Sequence, residues 1–460
     1  MINIIIVSDI LRIRRLFKKN VIMKNKIKVL MLGWEFPPII NGGLGIACFG
    51  LSKALADLVD LSLIIPKTEA GFVVENVDLI GLNQLSIEQF KHQTVASHSA
   101  YDIFKDVSHV EANFAPYQNY ETNTKTVAEK QGSTTTVTQK QEVTLDDILS
   151  FDQVGDIYGT DIWDKIQRYA KIAAKIAQTK EFDVIHAHDW MTFIAGLQIK
   201  HESGKPLVLH IHSLETDRSG IGSRGGVYQL EKYAMELADL VIPVSNYTAC
   251  VITHHYGIDA NKVIPVHNGV EPIAPFKTEK PFPEKLILFL GRLTGQKGPG
   301  YFLETAQKVI ASAPNVRFVM AGTGDKLKNL IEAGAFKQIG NKFHFTGFLS
   351  PDKVQELLSM ADVYCMPSVS EPFGISALEA AQFGVPCVIS NQSGVSEVLP
   401  SALSADFFDV SQMAKHIVNL LNDSDLKEKV VQDGYDDLKK VSWESAAKKV
   451  VMLYQQNLSL

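Results

Sequence analysis

Residues Ile27–Leu55, IKVLMLGWEFPPIINGGLGIACFGLSKAL, place a short apolar run before a glycine loop and an amphipathic helix. That order is the unit of a parallel sheet, because parallel neighbours need a crossover long enough to hold a helix. It recurs along the chain. In the first half LSLII, DVIHAH, PLVLHIH, LVIPVS and VIPVHN read as strands, with FGLSKALADL and YAKIAAKIAQ among the helices between them. In the second half LILFLG, VRFVMAG, FHFTG, VYCMPS and PCVIS read as strands. Runs so poor in polar residues belong to sheets covered on both faces. Between the halves EPIAPFKTEKPFPEK, residues 271–285, has the prolines and charges of an exposed linker. The expected fold class is α/β: two Rossmann-like, doubly wound parallel-sheet lobes with a central cleft.

The expected division is an N-terminal lobe over residues 23–275, a C-terminal lobe over 283–441, and a last helix over 442–460 that crosses back to the first lobe. Two segments stand apart. Tyr117–Leu145 is rich in Thr, Gln, Lys and Glu and has too few large apolar residues to pack, so it reads as a surface insertion within about 117–145. Residues 1–22 put an apolar run before a basic cluster, the reverse of a secretory signal. They read either as a basic amphipathic helix at a membrane surface or as an extension upstream of a true start at Met23, and no function is assigned to them.

Composition narrows the role. With 460 residues, 46% hydrophobic and 21% charged, the chain can bury two cores, and a formal net charge of −6 argues against nucleic acid or an anionic membrane as the main partner. The four cysteines, Cys48, Cys250, Cys365 and Cys387, are scattered through apolar segments and fit buried thiols in a reducing, cytoplasmic compartment better than disulfides or a zinc site. No apolar run reaches the roughly 18 residues of a spanning helix. No transmembrane segment is expected, and the oligomeric state is left open.

Ser370–Ala380, SEPFGISALEA, carries the most chemistry. Glu371 falls in a loop and Glu379 on the helix that follows. Gly374 lets the backbone approach a ligand, and the amides of Ile375 and Ser376 open the helix, where unpaired N–H groups and the helix dipole favour a phosphate. A phosphate held there leaves Glu371 beside whatever it carries, while Glu379, a turn deeper, can accept from the paired hydroxyls of a ribose. In LFLGRLTGQKG, Arg292 and Lys297 lie in a loop at the carboxyl edge of the second sheet, able to complement that helix end and neutralise a departing diphosphate without a metal. In the first lobe Gly42 and Gly43 offer backbone amides to an anion at the start of a helix. Together these features read as a nucleotide-sugar site.

The combination GGLG, HAHDW, LHIHSLE, VSNYT, HNGVE, GRLTGQKG, AGTGD and EPFGISALEA resembles the retaining glycosyltransferases of the GT-B fold, and within them the glycogen and starch synthase group, from about Ile27 onward. The resemblance implies that Arg292 and Lys297 bind the donor diphosphate, Gly43 approaches the phosphates, Glu371 lies at the donor sugar and Glu379 holds the ribose. It further implies that Asp189 and His212 border the sugar and that Asn268 lines the cleft. The expected reaction moves glucose from a nucleoside diphosphate glucose, ADP-glucose or UDP-glucose, to an α-glucan. The nucleotide-sugar is then a substrate, and neither cofactor nor metal is expected. Where the synthases carry Lys-x-Gly-Gly this chain has Ile40-Asn41-Gly42-Gly43, so one phosphate-binding lysine is missing. A hexosyl or mannosyl transferase acting on a lipid, small sugar or surface polysaccharide is the alternative enzyme, and a non-catalytic glucan-binding protein is the alternative of another class.

Two patterns suggest metals. His186 and His188, then His210 and His212, form His-x-His pairs on two strands, where residues two apart share a face and two strand ends bring imidazoles together. The carboxylates that usually complete a hydrolase site are not clustered there. Asp423 and Asp425 form a literal Asp-x-Asp, but they precede LKEKVV and read as a helix N-cap.

Overall fold

The computed structural model describes residues 26–40, 42–85, 151, 157–159 and 161–458. The polar insertion at 117–145 and residues 1–22 lie outside the described residues.

Two six-stranded sheets, parallel throughout, form the two lobes. The first holds β1 (Lys28–Leu32), β2 (Asp60–Ile65), β3 (Val77–Gly81), β4 (Val184–His188), β5 (Leu207–Ile211) and β6 (Leu240–Pro243) in the order β3-β2-β1-β4-β5-β6. Its helices are α1 (Gly43–Leu55), α2 (Ile162–Ala177), α3 (Trp190–Ser203), α4 (Glu215–Ser219), α5 (Gly226–Leu237) and α6 (Asn246–His255). The second sheet holds β7 (Lys285–Leu290), β8 (Val316–Ala321), β9 (Phe343–Gly347), β10 (Val363–Met366), β11 (Cys387–Ser390) and β12 (Leu403–Ala405) in the order β12-β11-β10-β7-β8-β9. With it come α7 (Pro299–Ser312), α8 (Leu327–Phe336), α9 (Pro351–Met360), α10 (Ile375–Gln382), α11 (Val410–Asn422) and α12 (Ser424–Leu438). The last described helix is α13 (Trp443–Asn457).

The period of two along each strand sorts the first lobe into two cores. Leu30, Leu32, Ile185, Ala187, Leu207, Leu209 and Ile211 face α2 and α3. Val29, Met31, Val184, Val208, Leu240 and Ile242 face the other way, into a core that contains Cys48 and Leu51 of α1 together with Trp443, Val450 and Tyr454 of α13. The C-terminal helix thus follows the second lobe in sequence and packs in the first. Its Tyr454 hydroxyl lies 2.5 Å from Nδ1 of His186.

The structure corrects three readings. VIPVHN is not a strand: Ile264 and Val266 donate to the carbonyls of Val241 and Pro243, each at 2.9 Å, and only Val263 forms a bridge. Pro243 has no N–H to return, and the Pro265 carbonyl accepts from Lys449 Nζ at 2.6 Å, so no ladder develops. The edge strands β3 and β12 went unread because their short, partly exposed sequences lack a long apolar run. Of the cysteines, all free, Cys48, Cys365 and Cys387 are buried, while Cys250 is exposed on the outer face of α6. Asp423 does cap α12, accepting from the Leu426 amide at 2.9 Å.

Candidate active site

The carboxyl end of β7 runs through Gly291 and the half-buried Arg292 into a 3-10 turn, Gly295–Lys297. Gly298 then packs so closely on β10's exit that a Cβ there would lie 2.0 Å from the Pro367 carbonyl oxygen. This contact draws the turn against the loop that carries Glu371. Lys297 Nζ sits 2.5 Å from Glu371 Oε2, and Ser368 Oγ donates to the same oxygen at 3.2 Å. Glu371 is only 5% exposed, and its backbone is fixed within its own lobe by Glu371 N to Gln392 O and Gly394 N to Glu371 O, both 2.9 Å.

Three residues on, Gly374 adopts φ of 105°, in the left-handed region, and turns the chain into α10 without any side-chain cap. The first amides of α10, at Ile375 and Ser376, therefore open beside the Lys297–Glu371 pair. Ser376 Oγ bonds the Tyr364 hydroxyl at 2.8 Å, which seats this helix on β10. Glu379 is half-buried with no hydrogen-bond partner among the described residues, and burial raises its carboxyl above the ordinary range. A cation and uncapped amides at one end, with an unsatisfied acceptor a turn deeper, suit a diphosphate and a diol.

In the first lobe Asp189 stands between β4 and α3 with φ of 58°, unusual for a residue with a side chain. Its Oδ1 accepts from the His212 amide at 2.7 Å and the Ser213 amide at 3.3 Å, so the carboxylate holds the exit of β5. Burial pushes its pKa up to about 7, opposed by the Arg218 guanidinium. The four histidines form a compact block in two near-coplanar pairs. His188 Nδ1 bonds His212 Nε2 at 2.9 Å, and His186 Nε2 bonds His210 Nδ1 at 3.2 Å, with centroids 4.5 Å apart between His186 and His188 and 4.6 Å between His210 and His212. Burial lowers all four, His212 to about 3, so the rings are neutral.

Among the described residues, two groups of potential ligand atoms lie within 4.8 Å of one another, His186–His188–His210 and Cys48–His188–His212. Neither contains a carboxylate, and the ring nitrogens that face each other are engaged in hydrogen bonds between the rings. Asn268 is buried at the end of the segment after β6. Gly42 is extended and uncapped at the start of α1, and a Cβ on Gly42 or Gly43 would meet nothing within 4 Å.

Sequence reasoning missed the residues that join the lobes. Glu397 of the second lobe accepts from the amides of Asn246 and Tyr247 at 2.9 and 2.8 Å and from His267 Nε2 at 2.6 Å, closing the N-terminus of α6. Nothing in GVSEVL marks it, since its partners lie far away in the chain. Phe348, 76% exposed, follows Gly347, which pairs with Gly322 beside the carboxyl end of β8, and a bare aromatic ring at that edge was equally silent.

Two six-stranded parallel-sheet lobes, joined through Glu397 and the start of α6, have the architecture of a glycosyltransferase of the GT-B fold. The chain belongs to the starch synthase catalytic domain family, whose model matches residues 28–264, and residues 270–437 match the glycosyl transferases group 1 family. It is similar to an uncharacterised glycosyltransferase of Methanocaldococcus jannaschii, 27% identical over an alignment of 460 positions that covers 93% of this chain and 98% of that one. Glycogen synthase of Mycobacterium tuberculosis is 25% identical over 418 residues, 86% of each chain. Among solved structures, the catalytic domain of starch synthase IV from Arabidopsis thaliana, bound to ADP and acarbose, aligns with a TM-score of 0.65 at 14% identity over 95% of this chain and 100% of that one. The reading as a non-catalytic glucan binder gives way to that of an enzyme.

Proposed function

We propose that the enzyme transfers glucose from a nucleoside diphosphate glucose to a hydroxyl of an α-glucan, with retention at the anomeric carbon. The observation that carries this reading is Lys297 Nζ at 2.5 Å from the buried Glu371, beside the uncapped first turn of α10. As the glycosidic bond to phosphate breaks, negative charge grows on the diphosphate and positive charge on the anomeric carbon. Lys297, Arg292 and the amides of Ile375 and Ser376 stabilise the first, with Gly42 and Gly43 approaching from the opposite lobe. Glu371, anchored on both sides by its own backbone, orients the sugar and does not attack it. The incoming hydroxyl attacks from the face the phosphate leaves, and the phosphate oxygen takes its proton. Glu379 accepts from the ribose, Phe348 offers a stacking face to the base, Asp189 and His212 border the sugar, and Asn268 lines the cleft. No metal takes part, and the enzyme works in the cytoplasm.

A second reading, transfer of a hexose to a lipid, small sugar or surface polysaccharide, is favoured by one feature. Ile40, standing where the synthases carry lysine, packs its side chain against Gly45 instead of offering a cation. Incubating purified protein with ADP-glucose and UDP-glucose, each with and without glycogen, tests both. Glucan-dependent release of nucleoside diphosphate supports the first reading, and turnover that ignores glycogen but responds to other acceptors overturns it.

A further inference from the structure

The loop that presents Glu371 is fixed from two directions. Its own lobe holds the Glu371 backbone, through Gln392 and Gly394, the Glu371 carboxylate, through Lys297 and Ser368, and the Val369 amide and Phe373 carbonyl, through Gln296 and Ser393. The residues on either side of it are held from the first lobe. Before it, Ser370 Oγ donates to Asp217 Oδ1 at 2.5 Å and bonds the Tyr247 hydroxyl at 3.0 Å. Because the serine proton goes to the carboxylate, the tyrosine must be the donor in the second bond, which makes a directional relay from Tyr247 through Ser370 to Asp217. After it, the Pro372 carbonyl accepts from Ser245 Oγ at 2.6 Å and Thr248 Oγ1 at 3.4 Å. Ser245, Tyr247 and Thr248 all belong to the start of α6, the turn that Glu397 closes from the other side. The fit is tight: a Cβ on Gly394 would lie 2.1 Å from the Pro372 oxygen and 2.6 Å from Ser245 Cβ.

Asp217 is itself anchored. Its Oδ2 accepts from the Leu214 amide at 2.8 Å, and the next residue, Arg218, is buried against Glu231 at 2.7 Å and donates to Ser213 Oγ at 2.7 Å. Ser213 reaches Asp189 in turn. One continuous polar network therefore runs from the exit of β5 to the residue preceding Glu371.

We infer that Asp217, Tyr247 and Ser245 are positioning residues, by which the first lobe grips the chain on both sides of Glu371 and sets that carboxylate against the donor sugar. The inference rests on the proposed role of Glu371 at the sugar. Of the groups proposed to bind the nucleotide, Arg292, Lys297 and the first turn of α10 lie in the second lobe and the Gly42 and Gly43 amides in the first, and none of them takes part in the grip, so donor capture does not need it, and turnover does.

The test uses Ser370→Ala, Tyr247→Phe and the double variant in the full chain, with glucose transfer from ADP-glucose or UDP-glucose to glycogen measured at saturating donor. Ser370→Ala leaves a buried carboxylate oxygen without its donor and should lower kcat about tenfold to a hundredfold, while Tyr247→Phe, losing a neutral bond, should lower it roughly fivefold. Since Tyr247 acts through the serine hydroxyl, the double variant should fall no further than Ser370→Ala, within about twofold. Binding of ADP and UDP by calorimetry should be unchanged in all three. Hydrogen exchange, which needs no turnover, should accelerate in peptides covering 367–378 and not in β7 or β8. Losses that multiply, a kcat within twofold of wild type, weakened nucleotide binding, or unaltered exchange at 367–378 would each overturn the grip. Glu371→Gln separates the two ideas: wild-type turnover in that variant removes the role of Glu371, and the exchange data then judge the grip alone.

Discussion

The two glutamates of SEPFGISALEA should separate when stability and kinetics are measured on the same variants. Glu371→Gln breaks a charge pair whose side chains are 6% and 22% exposed, leaving Lys297 facing a neutral amide. Water reaches the lysine, so the cost should fall short of the 3 to 5 kcal/mol of a fully buried pair, at about 1 to 2 kcal/mol. Its kinetic effect should be larger, a fall in kcat on the order of 10² to 10³ with little change in donor KM, because its contacts strengthen as the anomeric carbon becomes positive. Glu379 behaves oppositely. Burial raises its folded pKa and no partner among the described residues compensates, so its charge destabilises the fold above the ordinary carboxylate pKa. Glu379→Gln should therefore raise the unfolding free energy at pH 7.5, with the gain fading as pH falls toward the unfolded value and wild type becomes neutral. It should meanwhile raise donor KM roughly tenfold to a hundredfold, the loss of a charged hydrogen bond of about 1.5 to 3 kcal/mol to the ribose, with kcat kept. Urea denaturation from pH 4 to 8 and steady-state kinetics decide the matter. A Glu379→Gln variant that is less stable at pH 7.5, or a Glu371→Gln variant with wild-type kcat, would refute the assignment of these carboxylates.

Catalysis should survive EDTA under the proposal that Arg292, Lys297 and the amides of α10 stabilise the diphosphate; loss of activity restored by Mg²⁺ or Mn²⁺ would assign the diphosphate to a metal. Glu397→Gln should destabilise the protein at neutral pH by about 1 to 2 kcal/mol. Burial raises the Glu397 pKa but is outweighed by bonds from His267 and the Asn246 and Tyr247 amides, so the difference from wild type should disappear as pH falls through its depressed folded value. His210→Gln tests the imidazole block by urea denaturation at two pH values. A buried histidine held neutral is destabilising once pH drops below its ordinary 6.5, so the stability gap between wild type and variant should shift by about 1.4 kcal/mol in favour of the variant between pH 7.5 and 5.5. A constant gap would show that His210 takes up a proton freely.

Much of the architecture was legible because parallel strands buried on both faces must be written almost entirely in apolar residues, as LVLHI and LVIP are, and because most are followed by a helix of period 3.6. The local geometry of one loop and helix of the second lobe was legible for a related reason. Glu371, Gly374, Ile375, Ser376 and Glu379 are near neighbours in the chain, and a loop entering a helix fixes their relation through local geometry alone. What failed locally was hydrogen-bond supply and exposure: VIPVHN looks like a strand, yet Pro243 cannot complete its ladder, and Cys250 sits in apolar sequence on the outward face of its helix. What the sequence could not decide was every relation between segments far apart along the chain. The pairing of Lys297 with Glu371, the docking of Tyr454 on His186, the closure of α6 by Glu397 and the hold of Asp217 on Ser370 each need the two sheets in place before the partners meet. Hydrogen bonds and charge pairs act over a few ångströms and leave no period in the chain, whereas burial, which acts on whole elements, does.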